Sequence, residues 1–223
     1  MATIKWLGHA TFEINMAGRI VFLDPWLDGN PKAPVKTSNI KDADIVCVTH
    51  DHADHMGSAS EICRQTNAVF VGTPELCNYA KERGIKEAVG FNIGGTANVK
   101  GIDIIMTQAF HTSDHGAPTG FVLKGKEESI YHAGDTGLFG DMKCIGKLYR
   151  PNVALLPIGG FYTMHFKEAT EAVKLINPEI VIPMHYQTFP VLAKTADDFV
   201  KMVNKRIPDV KAVVLAPGET YSL

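Results

Sequence analysis

The run Thr49-His50-Asp51-His52-Ala53-Asp54-His55 sets three imidazoles and two carboxylates within seven residues, directly after the apolar stretch 43–48. A buried strand that ends in alternating histidines presents His50 and His52 on one side of the chain, because successive side chains point to opposite faces. Asp54 and His55 then fall where the chain turns toward the next helix. Imidazole nitrogen and carboxylate oxygen suit zinc, iron or manganese, and the run offers too many donors for a single tetrahedral ion. A metal site, with two ions, is the expectation.

Length and composition bound the rest. The chain has 223 residues, 45% of them hydrophobic, which suits one α/β domain over 1–223 with a sizeable core. Lys and Arg number 22 against 24 Asp and Glu, so no general attraction to nucleic acid or an anionic membrane is expected. Cys47, Cys63, Cys77 and Cys144 show no C-x-x-C spacing and read as reduced and structural. Residues 1–9 lack a basic region followed by an apolar core, and no stretch approaches the roughly eighteen apolar residues of a membrane span. A soluble, cytoplasmic protein with no membrane partner is expected, its oligomeric state left open.

The strand and helix signals fall into two groups. Residues 4–7, 11–14 and 19–23 read as an antiparallel opening with Ala17-Gly18 as a turn, followed by a proline-bearing loop over 24–41 that borders a site. A helix around Ala59, Ile62 and Cys63, a strand at 68–71 and a helix over 74–83 with Pro74 in its first turn come next. A second group has strands at 102–109, 120–123 and 129–132, then a glycine-bounded segment over 134–146. Strands at 153–156 and 180–183 enclose a helix whose stripe is Ala169, Ala172, Val173 and Ile176. A last helix carries Ala196, Phe199, Val200 and Val203 before a strand at 212–215. This order predicts two sheets packed face to face with helices outside. Asp24, His111, Asp135 and His185 all follow expected strands, where residues distant in sequence converge.

The order Asp24, His50-x-His52-x-Asp54-His55, His111, Asp135 and His185 resembles the five motifs of the metallo-β-lactamase superfamily across nearly the whole chain. The segments 8–12, 132–137 and 156–160 are similar to those of small metal-dependent hydrolases related to phosphorylated-sugar lactonases. The resemblance implies an α/β, four-layered αβ/βα sandwich with a dinuclear site at one edge. It implies His50, His52 and His111 on the first metal, Asp54, His55 and His185 on the second, and Asp135 between them. Asp24 would orient a ligand imidazole by a hydrogen bond, and His9 would serve proton transfer or substrate binding. Zinc is the first expectation for the two divalent ions, with manganese, iron or nickel as alternatives. An aspartate at 135, where antibiotic-hydrolysing members use cysteine, argues against an antibiotic substrate. His52 stands where iron-dependent, oxygen-reducing members carry glutamate, which argues against redox chemistry.

Two ions sharing a water would activate it, with Asp54 orienting it or accepting its proton, for attack on a small ester, lactone or phosphoester. His111 is preferred to His115, which lies among loop residues Asp114, Gly116 and Pro118. His132 reads as a hydrogen-bonded strand-end residue, and His165, just before a helix start, as a candidate substrate contact. Only Lys32, Lys36 and Lys167 stand near the expected site as cations, which favours a small molecule over nucleic acid. The alternatives are a tRNA-processing-type nuclease and a non-catalytic metal-binding or regulatory protein.

Overall fold

Side-chain alternation along the central strands of the first sheet builds two layers at once. In the computed structural model, which describes residues 2–223, strands β3 (Arg19–Leu23), β4 (Ile45–Cys47) and β5 (Val69–Gly72) run parallel and adjacent. Val21, Leu23, Ile45, Cys47, Val69 and Val71 enter the core between the two sheets. Phe22, Val46 and Phe70, one residue out of step, pack with Ile62, Cys63, Leu76 and Ala80 of helices α2 (Ala59–Thr66) and α3 (Pro74–Glu82). Both faces are buried, so these strands read in the sequence as unbroken apolar runs.

Strands β1 (Thr3–Trp6) and β2 (Phe12–Met16) extend this sheet antiparallel beyond β3, and β6 (Ala88–Gly90) lies parallel beside β5. The second sheet repeats the plan: β7 (Thr96–Val99), β8 (Ile102–Gln108), β9 (Thr119–Lys124) and β10 (Ser129–His132) are antiparallel. Then β11 (Val153–Pro157), β12 (Ile180–Met184) and β13 (Lys211–Ala212) follow in parallel. Parallel neighbours need crossovers, which here are α4 (Met142–Tyr149), α5 (Phe166–Ile176) and α6 (Asp197–Arg206). Strand β14 (Thr220–Ser222) closes the first sheet against β1. The result is the expected αβ/βα sandwich, two seven-stranded sheets with helices outside. Among the described residues no helix is long and apolar enough to cross a membrane.

The departures from the sequence pattern have local causes. Strands β6, β7 and β14 carry few buried residues, so edge pairing rather than apolar patterning defines them. The segment 134–146 runs into the first residues of α4, whose glycine at 146 is a packing device instead of a loop boundary. A Cβ there would lie 2.1 Å from the carbonyl oxygen of Ile176, so only glycine lets α4 approach the end of α5 this closely. The strand expected at 212–215 is β13, which covers only Lys211–Ala212.

The four thiols are free, and three of them are buried. Burial pushes Cys63 up to about 12 and Cys77 to about 11, and raises Cys47 as well. Because the thiolate is the reactive form, an aromatic disulfide reagent at pH 8 is expected to label exposed Cys144 alone in the native protein. All four should react after denaturation. Rapid labelling of a second thiol before unfolding would contradict this packing.

Candidate metal centre

Strand β4 stops at Cys47, so His50 and His52 do not alternate from a strand as the pattern suggested. They sit on the loop between β4 and the short helix α1 (Ala53–Met56), with His52 at its N-cap. The loop nevertheless brings His50 Nε2 and His52 Nδ1 to 3.0 Å. Asp24, at the end of β3, holds that loop in place. Its Oδ1 accepts from the Thr49 amide and its Oδ2 from the Thr49 hydroxyl, both at 2.7 Å.

The same carboxylate sets two imidazoles. His55 Nδ1 donates to Asp24 Oδ2 at 2.7 Å, which turns His55 Nε2 toward Asp135. The Thr49 hydroxyl has spent its proton on Asp24, so it accepts from His50 Nδ1 at 3.0 Å, and His50 Nε2 is left as the lone-pair nitrogen, facing His52 Nδ1. Asp24 is fully buried with φ 43°, a left-handed conformation that aspartate tolerates better than most residues.

Asp135 arrives from the second sheet, just after β10. Gly134 at φ 63° makes the turn, and a Cβ there would lie 2.3 Å from the carbonyl oxygen of Thr119. Asp135 Oδ2 lies 2.9 Å from His185 Nε2, 3.3 Å from His55 Nε2 and 3.6 Å from His111 Nε2. Asp54 Oδ2 is 3.9 Å from both His55 Nε2 and His185 Nε2. Three sets of donor atoms each fall within 4.8 Å of one another: His50, His52 and His111; His50, His55 and Asp135; and His9, Asp54, His55 and His185.

Charge and burial oppose each other here. Burial penalises the Asp135 carboxylate, but His185 and His55 outweigh it and hold Asp135 well below the usual carboxylate range. Burial likewise disfavours the His55 imidazolium, yet Asp135 and Asp24 raise its pKa well above the ordinary value. His50, governed by burial, is pushed down to about 3, and burial also lowers His111. Neutral imidazole is the form that ligates metal. Buried His55 Nε2, Asp135 Oδ1 and His185 Nε2 have no hydrogen-bond partner, although all three belong to one cluster. Orphaned buried polar atoms are costly, and nitrogen and oxygen donors converging in this way fit a divalent cation.

Other residues take different places. His9 is fully buried: its Nε2 lies 3.0 Å from Asp54 Oδ2, and the Thr188 hydroxyl is 2.6 Å from its Nδ1. Burial and the neighbouring His185 lower its pKa to about 4. A neutral ring that donates to Asp54 and accepts from Thr188 supports Asp54 from behind. His115 bonds Asp51, which also accepts from Ser113 Oγ at 2.8 Å and the Asp114 amide at 3.0 Å. Asp51 therefore clamps the loop that carries His111 to the loop that carries His50 and His52. His132 sits between the Ala10 carbonyl and the Gly134 amide, at 2.9 and 3.2 Å, as a strand-end residue. His165 is exposed at the start of α5, packed beside Gly160 and Phe166.

A cleft of about 380 Å³ opens over the cluster, lined by His52, Asp54, His111, Asp135 and His185 together with Thr112, Tyr162 and Phe189. His165 is not in that lining, nor are Lys32, Lys36 and Lys167. The sequence pattern did not single out Tyr162, Phe189 or Trp26. Their only local signal is an aromatic residue within two positions of a glycine or proline in a loop that follows a strand.

The comparisons agree with this geometry. Residues 3–185 match the β-lactamase superfamily domain. A UPF0173 metal-dependent hydrolase of Caldivirga maquilingensis is 48% identical over 225 residues, covering 100% of this chain and 99% of the relative. One from Staphylothermus marinus is 49% identical over 229 residues, with the same coverage of 100% and 99%. The solved structure of Igni18, a metallo hydrolase from the hyperthermophilic archaeon Ignicoccus hospitalis, superposes with a TM-score of 0.92 at 40% identity, covering 100% of this chain and 99% of that one. A sandwich whose strand ends gather histidines and aspartates around orphaned donor atoms, matched end to end by such relatives, belongs to the β-lactamase superfamily and within it to the UPF0173 metal-dependent hydrolases.

Proposed function

We propose that this chain is a dinuclear metal-dependent hydrolase of a small ester, lactone or phosphoester. The observation that carries the reading is Asp135 Oδ2 with the Nε2 atoms of His185, His55 and His111 at 2.9, 3.3 and 3.6 Å. A carboxylate so placed can serve two ions at once. His50, His52 and His111 would hold one ion, Asp54, His55 and His185 the other, and Asp135 both. Zinc suits these nitrogen and oxygen donors, as do manganese, iron and nickel. Divalent ions in such a site acidify water and polarise a carbonyl or phosphoryl oxygen.

The chain's own residues supply the rest. Asp54 lines the cleft, and its carboxylate is the group placed to accept a proton from attacking water. His9 and Thr188 fix its orientation from the buried side. Asp24 fixes the tautomers and directions of His50 and His55. A nuclease finds less support, because no lysine or arginine lines the cleft to track a phosphate backbone.

Elemental analysis of protein saturated with zinc or manganese tests the reading, and about two ions per chain are expected. His111→Ala should lower that stoichiometry, whereas His115→Ala, which removes only the contacts to Asp51 and Tyr79, should keep it. A wild-type stoichiometry of one, unchanged by His50→Ala and His185→Ala, would refute the dinuclear arrangement.

A further inference from the structure

The mouth of the cleft is aromatic and carries no positive side chain. The Phe189 ring stacks on Trp26, with centroids 5.6 Å apart and planes at 25°, and it meets the edge of His9 at 5.4 Å. Tyr162 stands edge-on to Phe189 at 6.5 Å, and Phe161 in turn stands edge-on to Tyr162 at 4.9 Å. The wall is thus held in place on the Trp26 side, while Tyr162 leaves about half its surface open to solvent. The charged groups in the lining, histidines apart, are the carboxylates of Asp54 and Asp135.

Resting on the hydrolase reading above, we propose that the cleft recognises a neutral acyl compound, an ester or lactone whose aryl or bulky alkyl group lies against Phe189 and Tyr162. An aromatic or branched apolar group gains from leaving water there, and edge-to-face contact with the two rings adds to that gain. A second anionic group, such as a distal phosphate or carboxylate, would lose water against the aromatic mouth with no lysine or arginine in the lining to pair it. The volume, about 380 Å³, is at the small end of ligand pockets and accommodates one ring with its ester. In the hydrolysis, the water oxygen bonds to the acyl carbon and the acyl C–O bond breaks. The proton taken by Asp54 passes to the departing alkoxide, leaving a carboxylic acid and an alcohol.

Binding and turnover test this separately. Calorimetric titration of the metal-loaded protein with 2-phenylacetamide and with acetamide, both neutral, should show at least a tenfold preference for the aryl compound. Phe189→Ala, or Tyr162→Ala at the more exposed ring should the first variant fold poorly, should reduce that preference to near unity. In kinetics, kcat/KM for methyl phenylacetate should exceed that for methyl acetate about tenfold or more, and monomethyl succinate should fall below both. Equal binding of the two amides, or a preference for monomethyl succinate, would overturn the inference. Aryl-selective binding with no hydrolysis of these esters, of a γ-lactone or of 4-nitrophenyl phosphate would support the recognition inference and overturn the hydrolase reading. Hydrolysis of all the esters without aryl preference would do the reverse.

Discussion

Asp135→Asn is expected to lower turnover of any substrate by at least about a hundredfold and to reduce metal affinity by a similar factor, since loss of even an outer partner of a metal ligand costs 10–100-fold. The carboxylate is buried, approached by three imidazole Nε2 atoms and held ionised by His185 and His55. An amide of the same shape cannot supply that negative charge. The variant also has a proton signature. Asp135 is the strongest contributor raising His55, so in metal-free wild type His55 retains a proton above the ordinary histidine range and must release it when metal binds. Metal affinity should therefore rise with pH through neutrality. Calorimetry in two buffers of different ionisation enthalpy should show fewer protons released by Asp135→Asn than by wild type. Equal proton release, together with undiminished affinity, would remove Asp135 from the site.

For Asp54→Asn the expected loss is in kcat, on the order of a hundredfold or more, with a smaller change in KM. The amide oxygen can still face His55 and His185, but the side chain can no longer take a proton or stabilise the developing charge. His9→Ala should retain metal and reduce kcat less, by about tenfold, because its one hydrogen bond toward the cleft is to Asp54 Oδ2 and it otherwise packs on the rings of His185 and Phe189. Steady-state kinetics must be paired with metal content for each variant. If Asp54→Asn keeps its metal and a near-normal kcat, the proton-accepting role assigned to it is wrong.

The buried parallel strands were legible because a strand covered on both faces needs a continuous apolar run, as in 45–48 and 153–156. Helix α5 was legible because Ala169, Ala172, Val173 and Ile176 recur at helical spacing and are all buried. Helix α4 was not, since Gly146 looks like a breaker until the carbonyl of Ile176 is seen against it. Edge strands β6, β7 and β14 escaped for a related reason: their hydrogen bonds carry no side-chain pattern.

The run 50–55 declared a metal-type chemistry through residue types and close spacing alone, and the order of Asp24, His111, Asp135 and His185 along the chain placed candidate partners at strand ends. Those are local properties, carried by each residue and its immediate neighbours. What tertiary structure decided was the side to which each group turns. His9 lies behind Asp54 instead of in the cleft, and Asp51 clamps the His111 loop. The lysines stand outside the lining, and Phe189 rests on Trp26 above the histidines. Each of these depends on how two sheets and their loops pack across 45 residues of chain or more, where a difference of a few ångströms separates a hydrogen bond from no contact.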